Sequence, residues 1–414
     1  MKYDIAVIGG GPAGMMAAGR AGELRASVVL LEKNNKLGIK LLMTGGGRCN
    51  ITNQAIESKS LVDIYGKNGK FLFSALSGLG VSEVIDFFQA RGVKIKTEQN
   101  GRVFPVSNSA NDILKCLKRY LVDSGVEVRL NSAVKELIVK NKKIEKIILT
   151  NGEEILADKY IICVGGKSYP ASGSAGDGYA WLKKLGHEIV SPLPALAPII
   201  VKNKIVRELE GLSLKNVEVA LLKDNEKIIT ARGEMIFTSN GLSGPLSLNL
   251  SREIGRLLPQ KMLLRIDFYP DHSRSELEEK VLADFRADNN KAFKNYLGKL
   301  LSPKLSALIL KLSGINPAKQ VNSVSREERK KLIELLKGFD LEVARTAGFD
   351  QAMVTSGGVK LSEIDPKTMK SKLINNLYLA GEILDLDGPT GGYNLQICWS
   401  TGYRAGESVA TSSV

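Results

Sequence analysis

The sequence predicts an α/β protein in which one domain is built from both ends of the chain, with an insert between them. Three observations indicate this. Residues 3–33 have the pattern of a strand, a glycine turn, a helix and a second strand. Three prolines between Pro192 and Pro198 mark a change of composition, after which strand-like and then helical patterns follow. A second glycine turn at residues 388–392 opens a helix near the end of the chain.

The first glycine turn has the full G-x-G-x-x-G spacing at Gly9, Gly11 and Gly14. The first glycine allows a sharp turn, the second lets a pyrophosphate approach the backbone, and the third lets the helix pack close to the sheet. Glu32 stands about 20 residues further on, at the end of the second strand, where a carboxylate accepts hydrogen bonds from ribose hydroxyls. A strand before the turn and a helix after it make this a dinucleotide fingerprint rather than an ordinary glycine-rich turn.

The insert reads first as strands and then as helices. Residues 199–269 contain four strand-like runs, at 217–222, 227–230, 234–238 and 261–268. Residues 273–336 show leucines at helical spacing among many lysines. We interpret these stripes as a core face and a solvated face rather than as a nucleic-acid surface.

A loop rich in glycine follows the first nucleotide-binding unit. Three consecutive glycines precede Arg48, so the loop places exposed amides beside a planar, permanent positive charge, which suits an anionic or electron-rich ligand. The alternative is a structural role, in which Arg48 either bridges the two domains or pairs with a surface acid. Cys49 could be a reactive thiol beside this charge, but we favour a small buried residue, because free cysteines are usually buried.

Composition limits the classes of function. The chain has 414 residues, 43% hydrophobic residues and a net charge of +14, which fits a globular protein of two or three domains. No C-x-x-C pair occurs among the four cysteines, and only two histidines are present, so we expect no dithiol redox centre and no metal site. We expect a cytoplasmic protein with no membrane span, because no signal sequence or long apolar run is evident.

The second glycine turn requires an explanation, because a simple NAD-dependent dehydrogenase does not use one. A long FAD molecule would contact both turns, with its ADP end at the first and its ribityl chain and ring at the last. The segments VIGGGPAG, TGGGRCNITN, ICVGGKSYPASGSAGDGY, EMIFTSNGLSGP, VTSGGV and LYLAGEILDLDGPTGGYNLQ occur in this order. Together they closely resemble the BaiN/YhiN family of bacterial FAD-dependent oxidoreductases, over essentially the whole chain.

The resemblance implies a glutathione-reductase-type FAD-binding Rossmann domain, interrupted by an insert with a β-barrel part and a helical part. On this basis residues 1–193 and 351–414 form the FAD-binding domain, and residues 194–350 form the insert. The barrel part covers about 194–272 and 337–350, and the helical part covers about 273–336.

The resemblance also implies the site residues. The first glycine turn is expected to hold the pyrophosphate, Glu32 the adenosine ribose, and Val134 to contact adenine through its backbone, while Gly391 to Leu395 are expected to lie under the flavin ring. The implied cofactor-binding residues are Gly9, Gly11, Pro12, Ala13, Gly14, Glu32, Lys33, Arg48, Cys49, Asn50, Val134, Gly165, Gly381, Glu382, Gly391, Gly392, Asn394 and Leu395. The candidate catalytic residues are Arg48, Tyr393 and Asn394.

Family members are linked to reduction of conjugated C=C bonds in oxo-steroid bile acids. We therefore expect a small apolar carbonyl substrate, with NADH or NADPH docking transiently, because the sequence has only one dinucleotide fingerprint. An aminoacetone-oxidase-like FAD enzyme that produces hydrogen peroxide from an amine is the alternative. A nucleic-acid-binding or tRNA-modifying flavoprotein is a minority interpretation, based on the charge of +14. The oligomeric state does not follow from the sequence.

Overall fold

The computed structural model describes residues 2–55 and 58–412. The chain forms two compact units. The first combines Met1–Pro194 with Phe349–Val414, and the second is Ala195–Gly348. The first unit is therefore built from two segments that are separated in sequence by the whole of the second unit.

Within the described residues, strands alternate with helices in the first unit, whereas most strands of the second unit form one barrel. In chain order the strands are β1 Lys2–Ile8, β2 Val28–Leu31, β3 Thr52–Asn53, β4 Ile95–Thr97, β5 Arg102–Pro105, β6 Glu127–Arg129, β7 Val134–Lys140, β8 Lys143–Leu149, β9 Glu154–Ile162, β10 Ile189–Ala195, β11 Ile199–Val201, β12 Ser213–Lys223, β13 Glu226–Thr238, β14 Gly241–Ser243, β15 Met262–Asp267, β16 Phe339–Thr346, β17 Val354–Val359 and β18 Leu377–Leu379.

The helices of the same residues include α-helices and short 3₁₀ segments. The α-helices are α1 Pro12–Glu23, α2 Ser58–Ile64, α3 Phe73–Gly78, α4 Val81–Ala90, α5 Ala110–Asp123, α6 Asp177–Lys184, α7 Gly244–Leu257, α8 Arg274–Ala287, α9 Phe293–Leu300, α10 Pro303–Ser313, α11 Arg326–Lys337 and α12 Tyr393–Thr411. The 3₁₀ segments are Leu41–Gly47, Gly66–Leu72, Gln99–Gly101, Pro170–Ser172, Lys204–Leu209, Val321–Ser323, Leu361–Glu363 and Gly381–Ile383.

The first unit is organised around a parallel sheet with the order β6-β2-β1-β9-β18. All four residues of β2 are buried, as are the last four of β1. Such continuous apolar strands are expected where both faces of a parallel sheet are covered. Because the strands are parallel, their carboxyl ends share one edge, and the loops that follow them meet there. This confirms the predicted Rossmann-type α/β class.

Strand β9 belongs to two sheets at once. Its first residues pair antiparallel with β8, which continues to β7, while residues 156–162 pair parallel with β1. Residues 154–162 therefore form one continuous strand with partners on both sides.

Helices α1 and α12 pack against each other with their backbones unusually close. A Cβ atom on Gly402 would lie 2.4 Å from the carbonyl oxygen of Ala13, and one on Gly406 would lie 2.3 Å from that of Ala17. Helix α1 is buried on nearly its whole circumference, as expected for a helix enclosed between other elements. Glycine is therefore needed on α12 to let the two backbones approach.

The second unit contains a closed barrel with the order β11-β14-β13-β12-β15-β16. The predicted helical part is also present, as α8 to α11, and its leucine stripes, including Leu277, lie in the core of this unit. Helix α7 was missed, since 199–269 was predicted to be strand-like. The run Leu246, Leu248, Leu250 alternates like a strand, but Leu246, Leu250 and Ile254 also recur every four residues, and all are buried in the helical form.

One stretch, Gly66–Ala90, has the length and apolar composition of a membrane span. Half of it is buried inside the protein, and the residues divide into a 3₁₀ segment, α3 and α4, with Leu79 and Gly80 outside any helix. A core helix passes the same test of length and composition, so this stretch is weak evidence for a span.

We predict that Gly406→Ala destabilises the first unit by about 1–3 kcal/mol, because the new methyl group must displace the backbone of α1. The measurement is the urea or thermal midpoint of the purified chain. Gly298→Ala is the control, since a Cβ there meets nothing within 4 Å and alanine is the better helix former by about 0.5–1 kcal/mol. Equal midpoints for Gly406→Ala and wild type would contradict the close packing.

Candidate functional site

The first glycine turn is shaped by two different constraints. Gly9 has φ of +104°, and a Cβ on it would lie 2.5 Å from the carbonyl oxygen of Cys163; a Cβ on Gly14 would lie 1.8 Å from that of Gly9. These two glycines are therefore required by packing. A Cβ on Gly11, in contrast, meets nothing within 4 Å. The turn is tight against the protein on one side and open on the other.

The open side of the turn is the N-terminus of α1. Gly11 is the N-cap, it provides no side-chain cap, Pro12 occupies the first turn, and no acidic residue lies there. The first amides of a helix have no intrahelical acceptor and carry a partial positive charge. A diphosphate at Gly11 would satisfy both. The fold thus forms the predicted phosphate-binding turn, in which free backbone amides face an open space. Its residues are Gly9, Gly11, Pro12, Ala13 and Gly14.

Glu32 is buried at the end of β2, with 8% of its surface exposed. Its Oε2 accepts a 2.8 Å hydrogen bond from the Gly10 amide, and its Oε1 accepts from the backbone and side-chain nitrogens of Asn34, both at 2.8 Å. A carboxylate offers about four acceptor positions, so roughly one remains for a ribose hydroxyl. The bond to Gly10 was not expected from the sequence, and it makes Glu32 part of the glycine turn itself.

Lys33 and Val134, which were predicted to lie at the adenine end of the cofactor, are near Glu32 and contact other residues of the protein. Lys33 Nζ is 2.6 Å from Asp177 Oδ2 in the first turn of α6. Val134 opens β7 opposite Leu149, and the preceding Ser132 donates its amide to the carbonyl of Glu32. The fold therefore brings both to the same rim of the sheet, and their contact with adenine stays a prediction.

The second glycine turn closes against β3. Gly391 and Gly392 have φ of +125° and +101°, and a Cβ on Gly392 would lie 2.6 Å from the carbonyl of Thr52. Asn53 Nδ2 donates to the carbonyl oxygen of Gly391 at 3.0 Å. Gly392 is the N-cap of α12 without a side-chain cap, so a second partially positive helix end is available to a ligand.

The predicted catalytic pair at this turn has mainly internal contacts. Asn394 accepts from the Gly388 amide at 2.8 Å and donates both Nδ2 hydrogens, to the carbonyls of Gly388 and Pro389. Its side chain has no donor left for a substrate. Tyr393 is mostly buried, its ring meets Tyr65 edge to face, and burial raises its pKa. Leu395, the next predicted contact, is also buried.

Arg48 has the acidic partner that the sequence left open as an alternative. Its Nη1 donates to Glu98 Oε1 at 2.9 Å, and its guanidinium carbon lies 4.0 Å from the centre of the Phe104 ring. The hydrogen bond from Arg48 lowers the pKa of Glu98. About a third of the Arg48 side chain stays exposed, so a catalytic role remains a prediction.

Cys49 and Asn50 follow Arg48 into the protein interior. Cys49 is fully buried, and burial raises the pKa of its thiol to about 12. The interpretation of Cys49 as a small buried residue is confirmed, and its burial disfavours the thiolate that the reactive-thiol alternative requires. Asn50 is 8% exposed, and its Oδ1 is buried with no hydrogen-bond partner among the described residues. Their contact with a cofactor stays a prediction.

Sequence reasoning missed a polar cluster at the carboxyl ends of three parallel strands. Glu382, named as a site residue, bonds to Lys40, Ser168 and Thr355. Lys40 follows β2, Ser168 follows β9, and Glu382 follows β18, so their positions after buried strands were a usable signal. Gly166 permits the cluster, since a Cβ there would lie 2.4 Å from Thr355 Oγ1.

Gly165 and Gly381 support the same edge of the sheet. Gly165 has φ of +74°, and a Cβ on it would lie 2.9 Å from Ser174 Oγ, a buried atom without a partner among the described residues. Gly381 has φ of +79°, and a Cβ on it would lie 2.8 Å from Cβ of Ala13. The chain before Glu382 therefore touches the first turn of α1.

Within the described residues no group of three or more His, Cys, Asp or Glu side chains is arranged to hold a metal ion.

An open helix N-terminus at Gly11, an acid at the end of β2 and a second helix N-terminus without a side-chain cap at Gly392 are typical of FAD-binding Rossmann proteins. The chain is an FAD-dependent oxidoreductase. It belongs to the family described as HI0933-like protein Rossmann domain, whose model matches residues 3–408. The family resemblance noted from the motifs is confirmed.

Two relatives align with nearly the full chain. One is 3-dehydro-bile acid delta(4,6)-reductase from Clostridium scindens, 33% identical over 413 residues, with 98% of both chains covered. Another is ribosomal RNA dihydrouridine synthase from Haemophilus influenzae, 28% identical over 408 residues, again with 98% of both covered. Among solved structures, 3-ketosteroid delta1-dehydrogenase from Sterolibacterium denitrificans matches with a TM-score of 0.55, 14% identity and 100% of both chains. At that identity the likeness shows the fold alone.

We predict that Gly11→Ala keeps the fold but weakens FAD binding by about tenfold or more, which is ~1.4 kcal/mol. The new methyl group would occupy the open space at the N-terminus of α1, where the diphosphate is expected. The measurements are FAD titration by flavin fluorescence and the melting temperature without FAD. Gly14→Ala is the contrasting variant, because its methyl group clashes with Gly9 and should lower the melting temperature instead. Unchanged FAD affinity in Gly11→Ala would place the diphosphate elsewhere.

We also predict that Cys49 resists alkylation in the folded protein. The thiolate is the reactive form, and a pKa of about 12 leaves only roughly one thiol in ten thousand ionised at pH 8. Iodoacetamide at pH 8 should label Cys49 at least about a hundredfold more slowly than after unfolding in urea. Peptide mass spectrometry measures this, with the urea-unfolded chain as the control. Labelling at the unfolded rate would restore the reactive-thiol interpretation.

Proposed function

We propose that this protein is an NAD(P)H-linked reductase of a C=C bond conjugated with a carbonyl group, in an oxo-steroid-like or other apolar substrate. The observation that carries this proposal is the 33% identity, over 98% of both chains, to a reductase of 3-dehydro-bile acids. In the reaction NAD(P)H and one proton are consumed, and the C=C bond gains two hydrogens while NAD(P)⁺ is released.

FAD, when bound, supplies the hydride transfer between the nicotinamide and the substrate. The residues of this chain supply its position. The first amides of α1 would bind the diphosphate beside Gly11, Glu32 would accept from the ribose while it holds the glycine turn, and the N-terminus of α12 would face the ring end, as the uncapped helix ends and the Gly10–Glu32 bond support. Buried aromatic and aliphatic side chains around Tyr393 and Leu395 exclude water there.

The three candidate catalytic residues, Arg48, Tyr393 and Asn394, differ in how well their contacts suit a role in the reaction. Arg48 keeps a permanent charge and an exposed part beside a glycine loop, which suits contact with a carbonyl oxygen of the substrate or the cofactor. Asn394 supports the proposed site indirectly, because its side chain holds the 388–392 loop. Tyr393 contributes an apolar wall. The nicotinamide docks transiently, because the second turn lacks the G-x-G-x-x-G spacing.

A second candidate is reduction of uracil in ribosomal RNA, which is favoured by the 28% identity to a ribosomal RNA dihydrouridine synthase and by the net charge of +14. The chemistry is the same in kind, because the C5=C6 bond of uracil is also conjugated with a carbonyl. What differs is the partner, since RNA binding depends on phosphate contacts and is strongly salt-dependent. The two candidates therefore share a reaction and differ in substrate. The cytoplasmic location stays a prediction.

The proposed function is tested by anaerobic rapid mixing. We expect NADH or NADPH to bleach the flavin absorbance, and 4-androstene-3,17-dione to restore it at least about tenfold faster than buffer does. The control substrate is the corresponding saturated diketone, which has no conjugated C=C bond and should not restore the colour. Mass spectrometry of the steroid should show the addition of two hydrogens.

Two other outcomes would replace this proposal. Reoxidation by uridine-containing ribosomal RNA but not by the steroid, lost as salt is raised, would identify the RNA substrate. Flavin reduction by a small amine, with peroxide formed from oxygen and no response to NAD(P)H, would identify an oxidase.

A further inference from the structure

The polar cluster at the sheet edge has more internal hydrogen bonds than an ordinary surface ion pair. It consists of Lys40, Ser168, Thr355 and Glu382. Lys40 Nζ lies 2.8 Å from both Glu382 Oε2 and Ser168 Oγ, and Ser168 Oγ lies 2.8 Å from Glu382 Oε1. Ser168 and Thr355 are fully buried. The side chains of Glu382 and Lys40 are only 16% and 25% exposed.

The direction of each hydrogen bond follows from counting donors. Thr355 Oγ1 accepts the amide hydrogens of Lys167 and Ser168, so its own hydrogen is directed at Ser168 Oγ. Ser168 Oγ accepts from Thr355 and Lys40, so its hydrogen goes to Glu382, which also accepts the Thr355 amide. Glu382 is therefore only an acceptor, as a carboxylate is, and Lys40 is only a donor.

Two hydrogen-bonding positions remain open in the cluster. Within residues 2–55 and 58–412, Lys40 uses two of its three ammonium hydrogens, and Glu382 uses three of about four acceptor positions. The unused donor and the unused acceptor belong to groups 2.8 Å apart. A hydroxyl group, which both accepts and donates, is complementary to such a pair.

The cluster also stands where an anionic ligand is expected. Gly381 precedes Glu382, and a Cβ on it would lie 2.8 Å from Cβ of Ala13 in the first turn of α1, the turn that suits a diphosphate. A lone carboxylate beside a diphosphate would be repelled, because like charges at short range in a poorly solvated site interact strongly. A fixed ammonium group removes that repulsion and leaves the carboxylate free to accept a hydroxyl.

We propose that Lys40 is a positioning residue for the cofactor, whose charge neutralises Glu382 so that the pair binds a cofactor hydroxyl without repelling the neighbouring diphosphate. A purely structural role is the competing explanation. The two differ in whether FAD affinity changes apart from stability. If Lys40 only braces the loop, its loss lowers FAD affinity only as far as it lowers the melting temperature without FAD. If Lys40 neutralises Glu382 for the cofactor, FAD affinity falls more than that melting temperature accounts for, and removing the carboxylate restores the affinity.

The experiment is a charge cycle on the full chain, with FAD affinity measured by fluorescence titration in the absence of substrate and nicotinamide. We expect Lys40→Met to weaken FAD binding by about tenfold or more, because a buried carboxylate is left unpaired. Glu382→Gln alone should have the smaller effect. The double variant Lys40→Met/Glu382→Gln should bind FAD to within about threefold of Glu382→Gln. Lys36→Met, at an exposed position of the same segment, is the control and should bind like wild type.

A second variant separates a loss of FAD binding from a loss of the fold. Lys40→Gln keeps a hydrogen-bond donor for Ser168 but has no charge, and its melting temperature without FAD reports the fold. Weak FAD binding in Lys40→Gln with recovery in Lys40→Gln/Glu382→Gln would support the proposal. Wild-type affinity in Lys40→Gln, or a double variant weaker than both singles, would overturn it. Because no substrate is present, these results are independent of which molecule the enzyme reduces.

Discussion

The close approach of backbones around α1 is the constraint on which the rest of the structure depends. The turn before this helix is pressed against the end of β9 at Gly9, and α12 is pressed against its carbonyls at Gly402 and Gly406. No side chain fits at any of these contacts. Because the helix is fixed on all sides, its N-terminus points at one place on the sheet edge, and only Gly11 leaves room there. The cofactor cradle is thus a consequence of packing.

The two acids at that edge, Glu32 and Glu382, are both held in place by hydrogen bonds from the chain. Glu32 is held by three hydrogen bonds from the chain, one of them from the glycine turn. Glu382 is also held by three hydrogen bonds, two from Ser168 and Thr355 and one from the ammonium group of Lys40. Each carboxylate is oriented in advance and keeps about one acceptor position free. Pre-organisation of this kind reduces the cost of ordering the site when the cofactor binds.

The scaffold itself does not select the substrate. The chain aligns along nearly its whole length with a 3-dehydro-bile acid delta(4,6)-reductase and with a ribosomal RNA dihydrouridine synthase. The names of these relatives describe different classes of substrate, so similarity over the whole chain does not by itself select one of them.

The sequence by itself determined the class of fold and the cofactor cradle, because both rest on local patterns. The spacing of Gly9, Gly11 and Gly14 after an apolar run, with Glu32 following, leaves little choice of backbone conformation. Tertiary structure decided the partners. It paired Arg48 with Glu98, buried the Cys49 thiol, and turned the alternating leucines of α7 into a helix. It also joined Lys40 to Glu382, 342 residues away in sequence. Such contacts cannot be read from spacing, because they depend on which strand ends the parallel sheet brings to one edge.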